Sequence, residues 1–244
     1  WKNSFKRPDS VPRLIAALIR HGDYRQLPDT PSAHQPFPLN AEGEAQARQA
    51  GTILRQTIAE HGWSLCSEVD SSQLLRAWQT AQIIIEILGD LFPATPRLTA
   101  YDELAERGLG SAANLSVSAI AEIIREDPRF DELPADWKSN SRFRLPLQGA
   151  ESLLEAGTRV AAHIEAQMRS LSETATQDTL KLFIGHGAAF RHAAYHMGVL
   201  SFEQIAQLSM YHAQPVFLEY LAQDGWRHVG GEWKVRARHS EYTD

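Results

Sequence analysis

Six apolar residues run without interruption from Leu14 to Ile19 and stop at Arg20-His21-Gly22. A short continuous apolar run ended by polar residues and a glycine has the pattern of a strand buried on both faces, as at the centre of a parallel sheet. Leu180-Lys181-Leu182-Phe183-Ile184 repeats that logic and ends at Gly185-His186-Gly187. Elsewhere apolar positions recur at helical spacing. Ala45, Ala47, Ala50, Ile53, Leu54, Thr57 and Ile58 mark one face of a helix capped by Asn40 and ended by Gly62. Ala77, Ala81, Ile84, Ile85 and Leu88 mark a second, from about Leu74 to Leu88, and Ser116 caps a short one to about Arg125. A long amphipathic helix is expected from Ala150 to Leu171, and residues 188–198 and 202–208 are expected to be helical. Shorter strands are expected at Leu65–Val69, ending at Asp70-Ser71-Ser72, at Arg97-Leu98 as an edge, and at Val216–Leu221, Trp226–Val229 and Trp233–Val235. Strands alternating with helices predict a three-layer α/β/α architecture, a mostly parallel central sheet with helices on both faces.

Four stretches break the pattern. Residues 1–12 are polar, hold two prolines and read as a mobile arm. Residues 23–38 contain Pro28, Pro31, Pro36 and Pro38 and form a loop long enough to serve as a lid. Tyr101 to Gly110 carries Asp102, Glu103 and Glu106 among glycines and is not expected to be regular throughout. Residues 127–149 are an irregular cap excursion over the sheet. With no internal repeat and no linker, one domain is expected over 1–244.

Composition narrows the function. A net charge of −6 and a pI near 5.9 argue against a nucleic-acid binder driven by phosphate neutralisation. Of the 24 basic residues only five are lysine, which leaves arginine, the better bidentate anion receptor, as the dominant cation. Cys66 is the single cysteine, so neither an internal disulfide nor a cysteine metal site can form. No apolar run approaches a membrane span and no signal-peptide pattern opens the chain, so a cytoplasmic location is expected. The start at Trp1 rather than Met leaves room for residues upstream.

Ligands of open α/β sheets bind beyond the carboxyl ends of the strands. Arg20-His21, Arg76 in the first turn of the second helix, Glu106 and His186 all fall at such ends or in the adjoining loops. Together they describe a cationic, phosphate-sized pocket with one carboxylate and two histidines. Histidine can attack phosphorus or acyl carbon, and the arginine fork can hold an anion.

Six segments in order resemble the histidine phosphatase superfamily, the phosphoglycerate mutase-like family. Leu18-Ile19-Arg20-His21-Gly22 resembles its signature turn. Pro38-Leu39-Asn40-Ala41-Glu42-Gly43-Glu44-Ala45-Gln46-Ala47 resembles its "Leu-Thr-x-x-Gly-x-x-Gln-Ala" helix start, with Asn in place of Thr. Ser71-Ser72-Gln73-Leu74-Leu75-Arg76-Ala77-Trp78-Gln79-Thr80-Ala81 is nearly a full match to "Ser-Ser-x-Leu-x-Arg-Ala-x-Gln-Thr-Ala". Leu104-Ala105-Glu106-Arg107 with Gly110 is similar to the acid-bearing segment, Glu151-Ser152-Leu153 after Gly149 to the "Gly-Glu-Ser" helix start, and Gly185-His186-Gly187 to the second histidine.

The resemblance implies a metal-independent phosphomonoester hydrolase, with no cofactor, acting on a phosphorylated small molecule or a phosphoprotein. His21 is then the nucleophile that forms a phosphohistidine, attacking as neutral imidazole with its other ring nitrogen held by a backbone carbonyl. Arg20, Arg76 and His186 bind the phosphoryl oxygens, Gly22 and Gly187 line the substrate pocket in the same two turns, and Glu106 is the general acid and base. Glu103 is a rival for that last role, although the Leu-x-Glu-Arg pattern favours Glu106.

Departures from the family pattern are Asp23 where Glu or Gln is frequent, Tyr24 where many members carry Thr, and Asn114 where Gly is common. The bisphosphoglycerate-dependent mutases carry a longer insert between the acid and the "Gly-Glu-Ser" segment, with paired arginines that grip the substrate carboxylate. Only 45 positions separate Glu106 from Glu151 here, and Arg142 and Arg144 are not adjacent, which favours a phosphatase over a mutase. A non-catalytic phosphate- or phosphoprotein-binding module on the same fold is a further alternative. His192 and His196 lie four apart on one helix face, a spacing that can bind metal, but no third ligand other than His186 is near in sequence. His34, His61, His163, His228 and His239 are expected at the surface, and His212 can reach the pocket mouth. Nothing in the pattern reads out the oligomeric state or the substrate.

Overall fold

The computed structural model describes residues 11–31 and 34–236. Most of the expected arm at 1–12, and His239, therefore lie outside the described residues.

Strand β1 (Leu14–Arg20) is buried at every position. It runs parallel to β5 (Thr179–Gly185) on one side and antiparallel to β7 (Pro215–Leu221) on the other. Beyond β5 lie β3 (Glu68–Ser72) and the edge strand β4 (Arg97–Tyr101), both parallel to it, and β2 (Ser64–Leu65) pairs with the start of β5. Beyond β7, β8 (Gly225–Gly230) closes the sheet as an antiparallel partner, giving the order β4-β3-β5-β1-β7-β8. The sheet is mostly parallel, as expected, and is mixed through the antiparallel pairings of β7 with β1 and β8.

Alternation along β1 divides the core. Ile15, Ala17 and Ile19 pack with Ala50, Leu54 and Ile58 of α1 (Ala41–His61) and with Ala77, Ala81, Ile84 and Leu88 of α2 (Leu75–Leu88). Leu14, Ala16 and Leu18 face the other way, onto Val160, Ala161, Ile164 and Met168 of α4 (Leu153–Thr174) and Ala189, Phe190 and Ala193 of α5 (Gly187–His196). Period-2 side chains on a doubly covered strand require apolar residues on both faces, which is why the run has no polar break. Each fully buried Leu or Ile contributes about 1.5–3 kcal/mol. Between β4 and α4, α3 (Val117–Glu126) and the irregular residues 127–149 share a small core of Leu109, Ala112, Ile120, Trp137 and Leu145. Helix α6 (Phe202–Gln207) follows α5.

Three expectations are corrected. The single strand at Leu65–Val69 is two pieces: Ser64–Leu65 pairs with Thr179–Leu180, and Glu68–Ser72 pairs further along β5 and with β4, so Asp70, Ser71 and Ser72 belong to the strand. The long helix starts at Leu153, not Ala150, because Ser152 and Glu155 form a reciprocal capping box, and Ala150 bridges to Leu109 instead. The segment Trp233–Val235 does not join the main sheet; β9 (Lys234–Val235) pairs with β6 (Leu208–Ser209) in a separate ribbon, which also ends the helix before Leu208.

Candidate active site

The carboxyl ends of β1, β3 and β5 converge, and each delivers a polar group. His21 follows β1 and is 4% exposed; its backbone N–H donates to the Gly185 carbonyl at 2.9 Å, which locks the two strand ends together. The Nδ1 of His21 is 2.7 Å from the Gly22 carbonyl oxygen. A carbonyl only accepts, so Nδ1 carries the proton. Arg76 Nε, which only donates, lies 3.1 Å from Nε2. Both bonds assign the same neutral tautomer, with its lone pair at Nε2 directed at Arg76. Burial, together with the charges of Arg76, His186 and Arg20, pushes the His21 pKa well below its usual value.

Arg76 is fully buried. Besides His21, its Nη1 donates to the Gln35 carbonyl at 2.9 Å and its Nη2 reaches His186 Nδ1 at 3.3 Å. Its guanidinium lies 4.3 Å from the ring centroid of Tyr24, which also meets the His21 ring edge-on at 5.3 Å. Burial lowers the Arg76 pKa, and Tyr24 and Glu106 act in the opposite sense.

His186 is the residue before α5 and its ring centroid is 5.1 Å from that of His21. Its Nε2 is 2.8 Å from Ser72 Oγ at the end of β3. With Arg76 donating toward Nδ1, Nε2 carries the proton and donates to Ser72. Burial, then Arg76 and Arg20, push its pKa well below the usual range. Arg20, 5% exposed, donates from Nη1 to the Met210 carbonyl at 3.0 Å. The aliphatic part of Arg20 passes 3.1 Å from where a Cβ on Gly187 would stand. Gly22 N donates to Thr80 Oγ1 at 3.0 Å, a bond that ties the signature turn to α2.

Glu106 is 6% exposed; its carboxylate accepts from Arg107 N at 2.9 Å and from Ala188 N, in the first turn of α5, at 3.3 Å. Glu103 is exposed and offers Arg159 its backbone carbonyl. Of the two rivals, only Glu106 is turned toward the helix that His186 precedes. The five sequence-derived residues, Arg20, His21, Arg76, Glu106 and His186, are thus all buried around one set of strand ends. His212 reaches this cluster, its ring centroid 5.8 Å from that of His21. His34 is exposed as expected, but its Nε2 lies 3.5 Å from a Cβ position on Gly108, and burial and Arg76 lower its pKa.

His163 corrects the surface expectation. Its side chain is 7% exposed, and Nε2 lies 2.9 Å from Asp70, which also receives Lys181 at 2.8 Å. His192 is 1% exposed, bonded through Nδ1 to the Ala188 carbonyl and through Nε2 to Ser141, and burial takes its pKa down to about 3. His196 meets Thr158 and the Leu154 carbonyl. Sequence reasoning passed over Gln35, Ser72, Thr80 and Arg159. Only Ser72 and Thr80 had a signal, since they sit inside the segment that carries Arg76.

The sequence model described as the histidine phosphatase superfamily (branch 1) matches residues 16–231. No curated protein matches by sequence. Among solved structures, the chain is similar to a mycobacterial glucosyl-3-phosphoglycerate phosphatase, with TM-score 0.64, 20% identity, and coverage of 93% of this chain and 100% of that one. It is also similar to the alpha-ribazole phosphatase of Shigella flexneri, with TM-score 0.64, 16% identity and coverage of 92% and 100%. A phosphoglycerate mutase of Bacillus anthracis gives TM-score 0.65 and 16% identity over 95% of each chain. At these identities the structural likenesses establish the fold, which is phosphoglycerate mutase-like.

Proposed function

The chain belongs to the histidine phosphatase superfamily, which makes it an enzyme of the histidine phosphatase type, and from that premise we propose that it hydrolyses phosphomonoesters without a metal, through a phosphohistidine on His21. The observation that carries this reading is the doubly fixed tautomer of a buried, neutral His21, with Nε2 against Arg76 and with His186 and Arg20 close by.

In the first step the Nε2 lone pair bonds to phosphorus and the ester P–O bond breaks, while Glu106 in its protonated form gives its proton to the leaving oxygen. In the second, the Glu106 carboxylate takes a proton from water, the water oxygen bonds to phosphorus, and the N–P bond breaks to release phosphate and neutral His21. Arg76 turns its Nε–H from His21 to a phosphoryl oxygen as the ester enters. His186 likewise turns its Nε2–H from Ser72 to a phosphoryl oxygen, and Arg20, Arg76 and His186 then stabilise the charge that builds on the phosphoryl oxygens, an effect typically worth about 2.7–4 kcal/mol of barrier for each donor.

The mutase alternative needs cationic groups for a second anion. The placement of the two excursion arginines favours the phosphatase reading: Arg142 is exposed and lies over the Phe202 ring at 4.6 Å, and Arg144 pairs with Glu155 on the exposed start of α4. The proposed substrates are phosphorylated small molecules, in keeping with the names of the two phosphatase neighbours.

The test is hydrolysis of phenyl phosphate, an ester with a poor leaving group, in EDTA, comparing wild type with His21→Ala and Glu106→Ala. The expected result is turnover that survives chelation, vanishes in His21→Ala and falls by about 10²-fold or more in Glu106→Ala. Turnover abolished by EDTA, or retained by His21→Ala, contradicts the proposal.

A further inference from the structure

The segment that carries Glu106 has little regular structure of its own. After β4 it forms one 3-10 turn at Asp102–Leu104, has an extended backbone at Ala105, and carries no regular structure at Glu106. Its backbone carbonyls must find partners outside any ladder where the segment turns inward from the exposed Asp102 and Glu103 to the buried Leu104–Arg107. The Asp102 carbonyl accepts from Ala105 N at 3.0 Å within the turn, and one side chain reaches four of these carbonyls. Arg159 Nη1 donates to the carbonyls of Glu103 at 2.8 Å, Ala105 at 3.0 Å and Asp102 at 3.3 Å, and Nη2 reaches that of Glu106 at 3.5 Å.

The same guanidinium forms an ion pair with Glu151. Glu151 in turn accepts from Gly108 N at 3.0 Å through Oε1, and its own N–H donates to the Gly108 carbonyl at 3.0 Å. Glu106 is therefore bracketed, by Arg159 before it and by Glu151 after it. Both brackets stand on the first turns of α4 or the residues just before it, while the carboxylate itself is received by the start of α5. The carboxylate position is set by how these two helices hold the segment between them.

We propose that Arg159 is a positioning residue for the general acid, holding Glu106 at the leaving-group oxygen through the backbone of residues 102–106. The inference rests on the reading of Glu106 as that acid. The planar fork matters: carbonyls spread along four residues can be gathered by five N–H donors on a rigid plane, whereas a lysine ammonium is a single point. Both partners of the ion pair are about a quarter exposed (side chains 25% and 23%), so the pair itself adds little to stability. Its effect falls on geometry, where a misplacement of about 1 Å can cost about 10²-fold in rate.

The experiment compares kcat/KM for phenyl phosphate with kcat/KM for 4-nitrophenyl phosphate. A poor leaving group needs the proton from Glu106; a good one barely does. The ratio of the two is independent of how much of a preparation is folded, so a destabilised variant remains informative. Glu106→Gln sets the benchmark and is expected to depress the ratio strongly. Arg159→Gln is expected to depress it about 10-fold, and Arg159→Lys to restore little of it. A wild-type ratio in Arg159→Gln, with the ratio collapsed in Glu106→Gln, overturns the positioning role alone. A wild-type ratio in Glu106→Gln overturns the acid assignment, and the inference falls with it.

Discussion

Tyr24 sits where the family pattern usually places a small hydroxyl residue, and the structure gives the ring a different task. It is 3% exposed, its ring centroid lies 4.3 Å from a fully buried guanidinium, and its plane stands perpendicular to the imidazole of His21. A desolvated cation over an aromatic face gains about 2 kcal/mol. Removing the ring face therefore weakens the hold on Arg76 by up to about 30-fold in kcat/KM. Tyr24→Leu is expected to show that loss in steady-state aryl phosphate hydrolysis and Tyr24→Phe to retain most of the activity; a Leu variant with wild-type kcat/KM contradicts the platform role. At this scale Arg20, His21, Arg76, Glu106 and His186 were legible because reactive side chains at strand ends stand out against apolar runs. Gln35 and Arg159 were not, because they act through backbone carbonyls, and a carbonyl leaves no mark on residue identity.

Among the elements, the starts of the helices divide by purpose. Asn40 caps α1 and Ser152 caps α4, whereas α2 and α5, whose first turns meet the site, have no side-chain cap. In α5 the residue that would cap, His186, points its ring into the pocket and spends Nε2–H on Ser72. Helix α1 shows how closely the signature turn is seated. Asn40 Nδ2 donates to Asp23 Oδ2 at 2.7 Å, and its Oδ1 accepts from Gly43 N at 2.8 Å. A Cβ on Gly43 would stand 1.8 Å from the Asp23 carbonyl oxygen, and one on Gly22 2.4 Å from the Gly43 carbonyl oxygen. Gly43→Ala is expected to destabilise the fold by about 3 kcal/mol and to reduce turnover, as thermal unfolding and activity assays on one preparation would show. An alanine variant with unchanged Tm contradicts this close seating. Helix faces were legible from their period. Strand breaks were not: whether Leu65–Val69 is one strand or two depends on which part of β5 each piece meets, more than a hundred residues away in the chain.

Across the whole molecule, burial keeps His21, His186 and His192 neutral. In the unfolded chain each titrates near its ordinary value of about 6.5. Below that pH the unfolded state binds protons that the folded state refuses, so folding stability falls as pH falls; above it, these groups contribute no slope. Each histidine approaches about 1.4 kcal/mol per pH unit in this window. Urea unfolding between pH 6.5 and pH 5 (above the usual carboxylate range) is expected to show stability dropping steeply, and a flat profile contradicts neutral burial. The sheet and its two covered faces were legible from the uninterrupted run at 14–19 and from the run at 180–184, which Lys181 alone interrupts. The polar set of His163, Asp70 and Lys181 inside that core was not, because a buried ion pair has the same residue types as a solvated face.

The proposed mechanism turns on the bond between His21 Nε2 and phosphorus. The most direct measurement mixes enzyme with excess 4-nitrophenyl phosphate, quenches in base within the first turnover, and maps the phosphorylated peptide by mass spectrometry. A base-stable, acid-labile phosphoryl group is expected on the peptide that contains His21 and is expected to be absent from His21→Ala. A phosphoryl group on another residue, or burst release of nitrophenol with no covalent phosphate on the protein, contradicts it.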